Sequence, residues 1–203
     1  GYVRQLDLQG DILLCSARAP KSPYNIRWVN YWQLWRSISF GTYFKNSLII
    51  CVLTTLIAMS LATLAAYALS RFRFPGSTFF STAILATQMI PGLMFLIPIY
   101  LMFVKFNEWT GIPLINSYKG VIITYSSFFI PLSIWILRSF FASIRVSIEE
   151  AARIDGCSRF GVVWRITLPL ALPGIIATAI FIFLTAWDEL MFATVLLQKK
   201  EYL

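Results

Sequence analysis

The 203-residue chain is 58% hydrophobic and only 13% charged, far from the balance of a soluble globular protein and close to that of a chain embedded in a bilayer. Its net charge of +8 does not mark a nucleic-acid binder, because the lysines and arginines sit mostly at the edges of apolar runs, where they anchor membrane segments. With no histidine, and with Cys15, Cys51 and Cys157 in unrelated contexts, neither a metal site nor a disulfide framework follows.

The chain opens on Gly1 rather than Met, so its true start is expected to lie upstream. The first twenty residues lack the basic end and apolar core of a signal peptide. Residues 1–45 mix polar and apolar side chains, and the first 19 carry no readable pattern. Pro20 and Pro23 are breakers, followed by Trp28, Tyr31, Trp32 and Trp35. Aromatics just ahead of a span prefer the headgroup layer, so the segment is expected to be an interfacial or extramembrane arm.

Residues 46–203 are expected to form one transmembrane domain. The first span, 47–69, has no charge, and at 1.5 Å per residue is about 35 Å long, enough to cross the hydrocarbon core. Its small residues Ala58, Ser60, Ala62, Ala65, Ala66 and Ala68 favour close helix packing. The second span, 78–103, is interrupted by Pro91-Gly92 and Pro98; prolines there kink a helix where protein or a water-filled cavity satisfies the freed carbonyls. Gln88 precedes the first proline and is a candidate for facing a pathway or for bonding a neighbouring helix. The third span is 120–141, with Pro131 in its middle and Arg138 near its end. The fourth is 170–197, opened by Pro173-Gly174 and carrying Asp188 and Glu189, which mark either a functional vestibule or the outer end of the helix.

Loop 142–169 between the last two spans contains the polar island SIEEAARIDGCSRFGVVWRITLP, residues 147–169. Ser147 and Glu150 have the spacing of a capping box, predicting a helix start. Glu149 and Arg153 are spaced i,i+4, as are Asp155 and Arg159, while Ala151, Ala152 and Ile154 are uncharged and free to pack against another surface. Gly156 supplies the left-handed residue that ends a short helix, and Leu168-Pro169 is expected to stop the next. The adjacent Glu149 and Glu150 read as solvated charge and cap, not as an acid–base pair. The loops after the first and third spans hold arginine as their only basic residue and the densest basic cluster, which places them in the cytoplasm. No G-x-x-x-x-G-K-[ST] phosphate loop, G-x-S-x-G elbow or H-E-x-x-H motif occurs, so no catalysis is assigned.

Glu150-Ala151-Ala152, Gly156, Ile166 and Leu168-Pro169 resemble the EAA-x3-G-x9-I-x-LP signature of membrane subunits of bacterial ATP-binding-cassette importers. Phe74-Pro75-Gly76, Gln88-Met89-Ile90-Pro91-Gly92, Ile97-Pro98-Ile99-Tyr100, Ile154-Asp155-Gly156 and Ala186-Trp187-Asp188-Glu189 are similar to its carbohydrate-type branch. The resemblance implies an all-α polytopic membrane helix bundle with a cytoplasmic coupling helix, in the bacterial inner membrane. It implies that Glu150, Ala151, Ala152, Asp155 and Gly156 dock a separate ATPase, and it makes Gln88, Asp188 and Glu189 candidates for lining the translocation path. The implied partners are two ATPase subunits, a second permease subunit, an extracytoplasmic solute-binding protein and the lipid bilayer. No cofactor is expected on this chain, ATP and Mg being expected on the partner ATPase. Arg145 stands where a proline commonly precedes the helix, and Asp188 where asparagine is usual. Family members usually carry one more span before Asn46 and another after Leu197, so the chain reads as a truncated product or a partial sequence.

The main expectation is thus a permease subunit of an importer for a sugar or related polyol, supplying path and transmission. A membrane scaffold that recruits a soluble partner through the charged loop, without transport, is the alternative. An intramembrane enzyme built on Asp188 and Glu189 is a third.

Overall fold

A computed structural model describes residues 2–6, 12–16, 32, 33, 35, 40–72 and 75–198. The chain divides into two units, Gly1–Phe40 and Gly41–Leu203. In the first, strands β1 (Tyr2–Leu6) and β2 (Ile12–Ser16) form an antiparallel hairpin with Tyr2 opposite Ser16 and Leu6 opposite Ile12. The sequence carried no reading for this stretch. Trp32 and Trp35 are exposed, and the Trp35 ring lies 5.0 Å from that of Phe40. Trp28 and Tyr31 of the same aromatic group lie outside the described residues.

The second unit is helical among its described residues. Helix α1 (Phe40–Arg71) buries a stripe of small side chains, Cys51, Thr54, Ala58, Ala62 and Ala66, whose i,i+3/i+4 spacing keeps them on one face. Leu48, Val52, Leu56 and Leu64 stay exposed on the rest of its surface. Small residues inward and large apolar residues outward is the pattern of a helix packed closely in a bilayer.

The expected unbroken second span is instead two helices, α2 (Ser77–Ala86) and α3 (Leu96–Thr110), joined by 3-10 turns at Thr87–Met89 and Gly92–Phe95. The cause is local. Ile90 precedes a proline and is pushed to an extended ψ of 124°, which no helix accommodates. Pro98 falls in the first turn of α3, where no intrahelical N–H bond is lost, so it does not kink the helix as expected. Helix α3 also runs past Lys105 to Thr110, where Gly111 at φ 70° ends it.

Helix α4 (Tyr118–Ser143) keeps Pro131 inside, and α5 (Val146–Ile154) follows it directly. Helix α6 (Arg159–Val162) then runs through a π-helical segment, Val163–Thr167, into α7 (Leu168–Asp188), and α8 (Met191–Leu196) ends the described chain. Leu168-Pro169 therefore does not stop a helix. The widened π turn lies directly ahead of Pro169 and carries the chain from α6 into α7.

Among the described residues, four stretches are long and apolar enough to cross a membrane: Phe40–Arg71, Gly92–Thr110, Tyr118–Ser143 and Arg159–Asp188. Two cores stack along them. Ile50, Cys51, Val121, Tyr125, Ala186 and Leu196 form one; Ala58, Ala62, Leu137, Phe141, Ala171 and Ile182 form the other. Residue numbers rise from the first core to the second on α1 and α4 and fall on α7, so α7 runs antiparallel to the other two. A Cβ on Gly174 would overlap the ring of Phe140, which is why glycine stands where α7 crosses α4.

Candidate functional site

Ser147 does not cap α5. Arg145 holds the cap position in extended conformation, no side chain bonds there, and the S-x-x-E capping box is not formed. The helix is instead held by Glu149. Its carboxylate accepts from Arg71 Nε at 2.7 Å and from the Thr167 hydroxyl at 3.0 Å, while Arg71 Nη2 donates to the Ile144 carbonyl at 3.1 Å. The Arg71–Glu149 pair thus joins the end of α1, the α4–α5 turn and the π turn that leads into α7. The Arg71 and Glu149 side chains are 8% and 6% exposed, so the reading of Glu149 as solvated charge is overturned. A buried carboxylate needs a cation and hydrogen bonds to offset its lost hydration, and here it has both.

Neither of the two i,i+4 charge spacings forms an ion pair among the described residues. Arg153 Nε donates to the Glu149 backbone carbonyl at 3.4 Å, and Arg159 and Asp155 make no ion pair. The end of α5 matches its sequence: Gly156 takes φ 88°, its N–H reaches the Arg153 carbonyl at 3.1 Å, and the Cys157 N–H reaches Ala152 at 3.0 Å, the paired bonds of a Schellman turn. Ser158 then caps α6, its hydroxyl accepting from the Gly161 N–H.

Glu149 and Ala152 face inward, whereas Ser147, Glu150, Ala151 and Ile154 are exposed. At 100° per residue these four form one stripe opposite the buried pair. Ile154 is 86% exposed, a large apolar side chain on a polar loop. Of the residues expected to dock a partner, Glu150, Ala151, Asp155 and Gly156 are on the surface, and Ala152, 6% exposed, packs inward.

Toward the other end, Gln88 and Glu189 line a single cavity of about 390 Å³ with Tyr125, Thr185 and the Ile90–Gly92 turn. Gln88 Nε2 donates to the Phe128 carbonyl at 3.2 Å, in the turn ahead of Pro131. Glu189 accepts from the Tyr125 hydroxyl at 2.8 Å and from the N–H groups of Met191 and Phe192 at 3.1 Å each, capping α8. Asp188, the last residue of α7, is exposed and outside that lining.

Sequence reasoning missed the Arg71–Glu149–Thr167 cluster. A signal existed: Glu149 and Ala152 share the inner face of a short helix, and Arg71 is the first charge after a long apolar run expected to end on the same side of the membrane.

Membrane-length apolar helices with an amphipathic surface helix between two of them define a polytopic membrane component. The model of the family described as "binding-protein-dependent transport system inner membrane component" matches residues 58–201. The chain is 36% identical over 190 residues to the probable ABC transporter permease protein YurM of Bacillus subtilis, covering 94% of this chain and 60% of YurM. It is 37% identical over 157 residues to the trehalose/maltose transport system permease protein MalG of Thermococcus litoralis, covering 77% of this chain and 54% of MalG. A crystal structure of a bacterial ABC transporter involved in the import of the acidic polysaccharide alginate superposes with a TM-score of 0.66 at 28% identity, covering 80% of this chain and 55% of that one. This chain belongs to the binding-protein-dependent transport inner membrane components. It is a multi-pass inner-membrane protein of a family that is neither enzymatic nor cofactor-binding. It spans roughly half to three-fifths of the length of these relatives.

Proposed function

We propose that this chain is a permease subunit of an ATP-driven importer for a sugar or related polyol, and that α5 is the element through which partner ATPases drive it. The observation that carries this reading is the division of α5 into two faces. Glu149 ties the inner face to α1 and α7, so a push on the helix reaches two spans, while Ser147, Glu150, Ala151 and Ile154 face outward for a partner. Asp155 and Gly156 extend that surface. Gln88 and Glu189, sharing a cavity beside the broken second span, are proposed to line the path, and Asp188 to stand at its rim. The carbohydrate assignment leans on relatives such as the trehalose/maltose permease. ATP and Mg would bind on two ATPase subunits, and a second permease subunit and an extracytoplasmic solute-binding protein would complete the assembly.

Co-expression with the ATPase, companion permease and binding protein encoded beside it tests this. The wild-type assembly is expected to retain a phosphate-loop ATPase and to take up labelled sugar into ATP-loaded proteoliposomes, and Ile154→Asp to lose the ATPase. Retention of the ATPase by Ile154→Asp, or a folded assembly that binds no ATPase, contradicts the reading.

A further inference from the structure

One flank of α5 faces neither the bundle nor the outer stripe, and it opens on a cavity of about 540 Å³. Val146 and Arg153 of α5, Arg159 and Phe160 of α6, and Tyr67 and Phe72 at the end of α1 line it. The Arg71–Glu149 pair forms part of its wall and is internally neutral. Arg153 and Arg159 are exposed and, among the described residues, no carboxylate pairs with either, so the cavity carries two uncompensated positive charges. Beside them stand apolar rings: Phe72 is 53% exposed and Phe160 72%.

We propose that this cavity takes the phosphodiester headgroup of an anionic phospholipid from the adjacent leaflet. Guanidinium groups present forked N–H donors that match phosphate oxygens. A free phosphate would satisfy the two arginines and leave Phe72 and Phe160 in water, whereas a lipid also covers the rings with its glycerol and first acyl carbons. The location fits, one residue past the end of a membrane-length helix, where the headgroup layer lies. A bound lipid would bridge α1 to α5 and α6 on the side of the helix that the proposed ATPase does not need. The inference rests on the assignment of this loop to the cytoplasmic leaflet and is independent of transport.

Native mass spectrometry of the full chain, released from detergent with equimolar phosphatidylglycerol and phosphatidylcholine, tests it. Two arginines beside an anionic headgroup correspond to a preference on the order of thirtyfold for phosphatidylglycerol. Arg153→Gln with Arg159→Gln is expected to bring that preference to parity, and the Lys/Lys pair at the same positions to keep part of it. Lys105→Gln with Lys119→Gln, at the other end of the bundle, is expected to leave it intact. No preference in the wild-type chain, a preference unchanged in the Arg→Gln pair, or an equal loss in the Lys→Gln pair overturns the proposal. So does retention of inorganic phosphate in place of lipid. The wild-type comparison needs no substitution, and an absent preference there overturns the proposal even if a variant fails to fold. Because ATPase, ATP and solute are all absent from it, a negative result leaves the permease reading standing, and failed transport leaves the lipid reading standing.

Discussion

Two pairs of adjacent acids lie toward opposite ends of the bundle, Glu149-Glu150 in α5 and Asp188-Glu189 at the end of α7, and each turns one carboxylate inward and one outward. The inward members are held differently. Glu149 is buried against a guanidinium and a hydroxyl, so its charge is neutralised and it ties neighbouring segments together. Glu189 is half-buried and held by one hydroxyl and two backbone N–H groups; among the described residues no cation pairs with it, so its negative charge stays available at the cavity wall. The same local sequence pattern thus yields a tie at one end and a polar lining at the other, and the partner decides which.

The contrast predicts graded effects on thermal unfolding in detergent. Arg71→Ala leaves Glu149 buried without its cation and is expected to destabilise most, by roughly 3–5 kcal/mol. Replacing both partners, Arg71→Leu with Glu149→Leu, is expected to cost clearly less than the sum of the single changes; simple additivity would break the claim that they act as a pair. Tyr125→Phe removes one hydrogen bond to a charged acceptor, and a loss of roughly 1.5–3 kcal/mol is expected. A loss as large as that of Arg71→Ala would mean that the Glu189 end is also a structural tie. Gly156→Ala isolates the turn from the ion pair: nothing crowds a Cβ there, so the cost of roughly 1–2 kcal/mol comes from the left-handed backbone alone. Glu150→Gln and Asp188→Asn, the outward members, are expected to leave the melting temperature unchanged within error. A measurable shift at either would show that the outward acid has an inward partner.

The membrane character, the close-packed face of α1 and the glycine that ends α5 were legible in the sequence, because apolar length, small-residue spacing and a required positive φ are local properties. The break at Ile90 was half legible. Pro91-Gly92 marked the place, yet whether a proline kinks a helix or divides it depends on how the flanking residues settle, and Pro98 looked equivalent although it lands harmlessly in a first turn. Glu149 was misread because its true partner, Arg71, is 78 positions away while a plausible one, Arg153, is four away. Short-range rules choose the nearer charge; packing chose the other. The same reason explains why Ala151 and Ala152, adjacent and chemically identical, were assigned together although the helix turns one out and the other in.

In the proposed docking the outer stripe of α5 meets the ATPase while the inner face stays with the bundle. Maleimide labelling of single cysteines, on a background free of native cysteines, tests it most directly. Ile154→Cys is expected to label rapidly in the chain alone and to be protected when the ATPase assembles, whereas Ala152→Cys is expected to stay unreactive in both. Ile154→Cys labelling equally fast in the ATPase-bound assembly, or Ala152→Cys exposed in the chain alone and covered by the ATPase, would contradict the account.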